Sequence, residues 1–219
     1  MTYDFHTHTI HSDGELTPVE LARRAIVCGY KALAITDHVA MGSLAQVIQA
    51  VSLDCALVNE SWPLLAIPGV ELTHVPAAAI PRLARQAKEL GAKIVVVHGE
   101  SPVEPVEPGT NRAALSSAHV DILAHPGLIS AEEARLAAAQ GIFLEITARR
   151  GHCLANGHVA ALARAMGARL IVDSDAHDED LLTAEAALVV ARGAGLDEAE
   201  ARQLVTENPH LLLKRIGYE

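Results

Sequence analysis

The sequence predicts an α/β fold, a parallel sheet of seven strands covered by helices and either closed into a barrel or doubly wound. Three observations carry this. Short, nearly unbroken apolar runs recur along the whole chain, at Tyr3–Phe5, Ala32–Ile35, Leu64–Val70, Lys93–Val97, Val120–Ala124, Ile142–Ile146 and Arg169–Val172. Ala-rich stretches of helical period lie between them, and continuous apolar strands alternating with helices are the mark of a sheet buried on both faces. The turns leading into the strands are tight, whereas those leading out are longer and hold the polar residues. An α/β enzyme shows that asymmetry when its site lies at the carboxyl ends of the strands.

In chain order, Tyr3–Phe5 runs straight into His6-Thr7-His8. The first helix is announced by Thr17-Pro18-Val19-Glu20, with a capping hydroxyl, a proline at the first helical position and a glutamate at the capping-box position. Ser130-Ala131-Glu132-Glu133 repeats the box without the proline. Gly29, Gly91, Gly141 and Gly167 stop helices just ahead of the next strand. Gly99–Thr110 (GESPVEPVEPGT), punctuated by prolines and carrying three glutamates, reads as a long ordered loop and the candidate lid or specificity segment. Trp62 and Tyr30 are expected in core or interhelix packing, and Asp197–Glu219 as two short helices split at Asn208-Pro209. No linker divides the chain, so residues 1–219 are expected to form a single domain.

Half of the 219 residues are hydrophobic, enough for a sizeable core and incompatible with disorder. Aromatics make up only 3%, so the core is built from Ala, Leu, Val and Ile. The net charge of −10 disfavours a nucleic-acid or anionic-membrane surface, since both want a basic face. Cys28, Cys55 and Cys153 are odd in number and widely spaced, which reads as three small buried thiols in a reducing compartment. The N-terminus lacks the basic and apolar regions of a signal peptide, and apolar runs such as Ala184–Ala191 are too short to span a bilayer. A cytoplasmic location is the expectation, with the oligomeric state left open.

Twelve histidines are the compositional feature that needs a reason. The strand-like runs end, in order, in His6 and His8, Asp37 and His38, Glu71, His98, His125, Glu145, and Asp173, Asp175 and His177. A lone HxH, or one histidine at a strand end, is more often structural than a ligand. Seven consecutive ends of this kind are different, because a parallel sheet points them all to one rim. Packed together without compensation, these imidazoles and carboxylates would be costly, and bound cations remove the cost. Nitrogen and oxygen ligands without sulfur suit Zn, Mn or Fe, and the number of candidates implies two or three divalent ions. His6 and His8, two apart on a strand, can chelate one ion together. A carboxylate such as Glu71 can bridge two. Two ions roughly 3.5–4 Å apart clamp the attacking and leaving oxygens of an in-line displacement, which is phosphoester hydrolysis chemistry.

The pattern D-x-H-x-H-x-x-x-S-D-G at Asp4–Gly14, T-D-H at Thr36–His38, G-x-E at Gly69–Glu71, then His98, A-H-P at Ala124–Pro126 and S-D-A-H at Ser174–His177 resembles the PHP superfamily. More narrowly, it is similar to the histidinol phosphatase-like phosphoesterases. The resemblance runs in order over nearly the whole chain. It implies a distorted seven-stranded (β/α) barrel with a di- or trinuclear metal cluster at its C-terminal rim. It makes His6, His8, Asp13, His38, Glu71, His98, His125, Asp175 and His177 the ligands, with Glu71 as the bridge. His11 offers itself beside Asp13, and Asp13 is preferred because it sits in the S-D-G turn. Asp37 and Asp173 are expected to orient imidazoles, and Glu145 to be structural or to lie behind the ligands.

Substrate phosphate needs a positive partner beyond the metals. Arg149 and Arg150 after the sixth strand, and Arg112 after the long loop, are the candidates. His152 and Asn156 could reach substrate from the same loop as Arg149, while His158 is assigned to its helix. His74, His119 and His210 are read as ordinary surface or capping residues. The expected activity is hydrolysis of a small-molecule phosphate monoester by a metal-activated hydroxide, with Glu71, His177 and His38 as catalytic residues. His177, His38 or a water would serve the leaving group. Histidinol phosphate, nucleotides and sugar phosphates are the family's substrate options. A phosphodiesterase or 3′–5′ exonuclease is the alternative; scarce aromatics and acidic charge argue against it. A non-catalytic metal-binding module ranks lower, since no motif is lost, as does a C–N amidohydrolase, since no strand ends in a lysine.

Overall fold

A computed structural model describes residues 2–179 and 181–218. The strands are β1 (Thr2–Asp4), β2 (Tyr30–Ile35), β3 (His38–Val39), β4 (Leu65–Leu72), β5 (Ile94–His98), β6 (Ile122–Ala124), β7 (Phe143–Thr147) and β8 (Leu170–Asp173). The helices are α1 (Pro18–Val27), α2 (Leu44–Ser61), α3 (Ile80–Glu89), α4 (Thr110–Leu115), α5 (Ala131–Gln140), α6 (Asn156–Met166), α7 (Ala184–Gly193), α8 (Glu198–Thr206) and α9 (Asn208–Arg215). The sheet order is β1-β2-β4-β5-β6-β7-β8, all pairs parallel.

The first and last strands meet again. Thr7 pairs with Ala176, His8 N donates to Ala176 O at 2.8 Å, and Asp175 N donates to His6 O at 3.0 Å. Seven parallel strands thus form a nearly closed barrel rather than a doubly wound sheet. Each predicted run becomes a strand with ends shifted by a residue or two, the usual error of a boundary. The two-residue β3 was not predicted; it prolongs the β2 run beyond Thr36 and pairs His38 with Glu71.

Side chains alternate along each strand. Ala32, Ala34, Ile67, Ile94, Val96, Ile122, Phe143 and Ile171 fill the barrel interior with Phe5, and Leu212 and Leu213 of α9 close that cluster. Leu33, Ile35, Val70, Val95, Val97 and Leu144 face the helices. The same period of two carries Ile67 on to Glu71, Val96 to His98, Phe143 to Glu145 and Ile171 to Asp173. The interior face therefore turns from apolar to ionisable as it reaches the rim. Gly69 lies on this face because nothing larger fits; a Cβ there would come within 2.4 Å of Ile94 Cγ2 and 2.9 Å of Thr36 Cγ2. That is the packing reason for the glycine of G-x-E.

The caps form as the sequence suggests, with one difference. Ser130 and Glu133 make a complete capping box on α5. Thr17 caps α1 by accepting from Glu20 N at 3.2 Å, but the Glu20 carboxylate turns along the helix to Arg24 at 3.1 Å instead of closing the box. The cysteine expectation needs correction. Cys55 is buried, its thiol pushed up to about 12 by burial, whereas Cys28 is exposed and Cys153 half-buried. Trp62 packs against the outer core, and Tyr30 is buried with its hydroxyl donating to Asp4 at 3.4 Å. Among the described residues, no helix is long and apolar enough to cross a membrane.

Candidate metal centre

The strand ends surround one cavity of ≈ 500 Å³ at the C-terminal rim, lined by Asp13, His38, His74, His98, Glu104, His125, Arg149, His152, Asp175 and His177 among others. His6, His8 and Glu71 are wholly buried at its floor. Three groups share it. At the floor, Glu71 Oε2 stands 3.5 Å from His6 Nε2 and 3.8 Å from His8 Nε2, while Asp175 Oδ1 stands 3.8 Å and 3.2 Å from the same two nitrogens. At one side, Asp13 Oδ1 lies 3.4 Å from His38 Nε2 and 3.2 Å from His177 Nε2. At the other, His125 Nε2 lies 3.6 Å from Asp175 Oδ2 and 3.9 Å from Glu71 Oε1, with His98 and His152 beside it.

Ligand atoms bound to one ion at about 2.0–2.2 Å stand roughly 3–3.5 Å apart, so half of these separations match a shared coordination sphere and the rest lie within 0.4 Å of it. The buried atoms make the same point. His6 Nε2, His8 Nε2 and Glu71 Oε1 have no hydrogen-bond partner among the described residues. A buried polar atom left in that state costs about 1–3 kcal/mol, which divalent cations held by this nitrogen and oxygen set would remove. The residues present therefore fit a cluster of ions.

Four rings of the site commit their other nitrogen to the protein. His6 Nδ1 donates to Glu145 Oε1 at 2.7 Å, and Glu145 Oε2 accepts from His125 N at 2.9 Å. His98 Nδ1 donates to Gly99 O at 3.0 Å and His177 Nδ1 to Asp175 O at 2.9 Å. His38 Nδ1 meets Thr73 Oγ1 at 2.6 Å and Glu71 Oε2 at 2.5 Å. In each of these four rings Nε2 is the atom turned to the cavity, the orientation that partners behind a ligand impose. Backbone strain concentrates here as well. His74, His125 and Asp175 have φ of +50°, +28° and +54°, the non-glycine positive values among the described residues, and all three line the cavity. Such strain persists only where surrounding structure enforces it, and it clusters at functional sites.

Charge is arranged in the same way. Burial alone would lower the His6 imidazole, but Glu145, Asp175 and Glu71 outweigh it and raise its pKa well above the ordinary value. Burial would raise Glu71 and Asp175, yet His38 and His6 hold Glu71 well below the carboxylate range, and His6 and His8 do so for Asp175. Burial, with His38 and His6 alongside, outweighs Asp175 and Glu71 and drops His8 to about 4, and burial with His98 nearby carries His125 well below its usual value.

Several expected site residues lie elsewhere. The structure brings in Asp13, not His11, whose backbone N–H donates to Thr9 Oγ1. Asp37 does not orient an imidazole; it accepts from Thr9 N, Thr9 Oγ1 and Ser12 Oγ, each at 2.7 Å, and so shapes the loop that carries Asp13. Arg112 is exposed and paired with Glu132 at 2.9 Å, and Arg150 is exposed outside the lining. Asn156 spends its amide on Thr147, accepting from its N and donating to its O at 2.8 Å, which pins the strand end instead of reaching substrate. Arg149 and His152 do line the cavity. His158 bonds Ile129 O at 2.7 Å, and His210 meets the Tyr3 hydroxyl at 3.2 Å. His74 is not an ordinary surface residue, since it lines the cavity and meets Glu104 at 2.8 Å. Glu104 was one of three glutamates in a proline-rich loop, and nothing in the sequence distinguishes it from Glu100 or Glu107.

Asp173 also departs from its expected part. Its Oδ1 accepts from Phe5 N at 2.7 Å and its Oδ2 is buried without a partner. Together with Asp4 it puts two carboxyls at the barrel seam. Burial lifts Asp4 to about 6, and burial with Asp4 alongside lifts Asp173 well above its ordinary value. A carboxyl whose pKa rises on folding favours the folded state below its unfolded pKa and loses that contribution as pH rises through the folded value. Asp173→Asn keeps the acceptor for Phe5 and turns an amide donor toward the second carboxyl. It is expected to stabilise the chelated protein by about 1–2 kcal/mol at pH 8, with the gain vanishing at pH 4. Urea midpoints at the two pH values check this, and a gain equal at both would refute the seam assignment.

A protein-family model described as the PHP domain matches residues 4–99. The chain is 48% identical over 218 residues to the uncharacterized protein MJ1295 of Methanocaldococcus jannaschii, covering 99% of this chain and 100% of that protein. It is 32% identical over 194 residues to the probable phosphatase TTE1963 of Caldanaerobacter subterraneus, covering 81% and 76%. It is 29% identical over 198 residues to the DNA polymerase/3′-5′ exonuclease PolX of Bacillus subtilis, covering 82% of this chain but 35% of that protein. Among solved structures, histidinol phosphate phosphatase of Lactococcus lactis, complexed with zinc, L-histidinol and phosphate, superposes over 100% of this chain and 94% of its own with a TM-score of 0.57. At 13% identity that likeness speaks for the fold.

Proposed function

The chain belongs to the PHP family of metal-dependent phosphoesterases, and from that premise we propose that it hydrolyses the phosphate monoester of a small molecule. His6, His8, Glu71 and Asp175 would hold one ion, His98 and His125 a second, and Asp13, His38 and His177 a third, with Zn, Mn or Fe as the metals. When bound, such ions neutralise the charge on the phosphoryl oxygens and bring the acidity of water toward neutrality. Glu71 is placed to serve two sites, because Oε2 faces His6 and His8 while Oε1 faces His125.

Arg149 lines the cavity, and its guanidinium has no hydrogen-bond or ion-pair partner among the described residues. It is the cation available to a phosphate that enters. His38 and His177 direct Nε2 at Asp13 and bond Nδ1 within the protein, so neither keeps a nitrogen for the leaving group. The proton for the departing oxygen therefore comes from water in this reading.

The observation that favours a monoester is the lining itself. It holds one arginine and no Phe, Tyr or Trp, whereas a site for single-stranded nucleic acid stacks bases on aromatics and tracks the backbone with basic residues. The 29% identity to PolX keeps an exonuclease as the second reading. Metal analysis of purified protein followed by a phosphate-release screen separates the two. Turnover of histidinol phosphate, nucleoside monophosphates or sugar phosphates, with none of bis-aryl phosphates or oligonucleotides, is expected. Turnover confined to the diesters would overturn the proposal.

A further inference from the structure

One carboxylate in the cavity belongs to none of the strand-end motifs. Glu104 comes from the middle of the 99–110 loop, and each of its oxygens meets an imidazole nitrogen. Oε2 lies 2.8 Å from His74 Nε2 and 3.0 Å from His98 Nε2, and Oε1 lies 3.2 Å from His152 Nε2. It is the carboxylate within 4.0 Å of His98 among the described residues. Glu71, the bridging candidate, is close to His125 but not to His98.

We propose that Glu104 is a loop-borne metal ligand that, together with His152, completes the coordination of the ion assigned above to His98 and His125. His74 acts as the positioning residue that holds its carboxylate. The inference rests on the rim being a metal centre. His98, His125 and His152 bring ligand nitrogens within 4.8 Å of one another and are all buried. His125 and His152 each keep a buried Nδ1 without a partner among the described residues, and both rings face this pocket wall. Three imidazoles and one carboxylate suit Zn, Mn or Fe and not Ca²⁺, which takes six to eight oxygens.

The loop is built to deliver this group. Glu100 Oε1 accepts from Gly109 N at 2.9 Å and Asn111 N at 3.0 Å, and Glu107 Oε2 accepts from Ala77 N at 2.8 Å. The flanking glutamates thus fasten the two ends of the loop, and the middle one faces the cavity. The loop also seats on both neighbouring turns. A Cβ on Gly127 would fall 1.9 Å from Glu100 O, and one on Gly151 would fall 3.5 Å from the Val103 methyls. Gly151 adjoins His152, so the loop lies against the turn that carries this imidazole.

The test compares wild type with Glu104→Gln, Glu104→Asp and His74→Ala. Each is stripped with chelator and titrated with Mn²⁺ or Zn²⁺ by calorimetry, and bound metal is counted after desalting. Glutamine keeps the shape and an acceptor oxygen but ligates poorly. For Glu104→Gln the expected result is one ion bound about 10–100-fold more weakly, the others unchanged, with smaller shifts for the aspartate and for His74→Ala. Unchanged stoichiometry and affinities in Glu104→Gln, with wild type still binding its ions, would overturn this inference alone and leave Glu104 as a hydrogen-bond acceptor. Loss of every ion from Glu104→Gln would also overturn it, since one site is claimed. A wild type that binds no divalent metal would bring down the metal-centre reading itself.

Discussion

Glu71→Gln is expected to lower phosphate release by about 10³-fold or more while the far-UV spectrum stays that of the wild type. The side chain is fully buried and the change is isosteric, so packing against β3 and β5 survives. What is lost is charge. Glu71 is held ionised by His38 and His6 against the pull of burial, and its oxygens face ligand candidates of two groups. An amide presents a donor to imidazole nitrogens that need an acceptor or a cation, and cannot bridge. Losing several kcal/mol of transition-state charge stabilisation corresponds to about 10³-fold in rate. Metal analysis should show a coincident fall in bound ions. Activity within tenfold of wild type would remove Glu71 from the reaction.

The motifs were legible because strand parity does most of the positioning. Once Ile67, Val96 and Phe143 are known to point inward, Glu71, His98 and Glu145 follow at the rim. Short range sufficed for the capping box on α5 as well. Residues whose roles depend on distant partners were not legible. Arg112 finds Glu132 on the next helix, and Asn156 folds back on Thr147. Asp37 is drawn to Thr9 and Ser12 by the first βα turn, a contact spanning 28 residues. Glu104 and His74 were hidden for the opposite reason. Each reaches the site from a segment whose path depends on how the 99–110 loop is fastened.

Removing the metals is expected to cost more than activity. An ion present at about 10³ times its Kd adds about 4 kcal/mol to folding stability, so two ions add about 8 kcal/mol. For a chain of this length that is at least about 15 °C in Tm. The pH dependence should then differ between the two forms. In the chelated protein His6 keeps its proton among Glu145, Asp175 and Glu71, with a pKa raised well above 6.5. Its stabilising effect is complete below 6.5 and fades as pH rises through the folded value, while Asp4, lifted from 3.8 to about 6, fades over the range between those two values. Both make the chelated protein less stable as pH rises, but below 6.5 His8 and His125, held neutral, work the other way, so the net fall belongs above 6.5. Glu71 and Asp175, held low, lose their contribution only in stronger acid. In the loaded protein His6 must be neutral to ligate, so binding expels its proton and tightens about tenfold per pH unit for each proton displaced. Stability of the loaded form should accordingly rise from pH 5 to 6.5, where the unfolded imidazole gives up its proton, and level off above it, where that of the chelated form falls. Thermal melts of the two forms at three pH values test this. Parallel slopes would mean that His6 is not exchanging a proton for a metal ion.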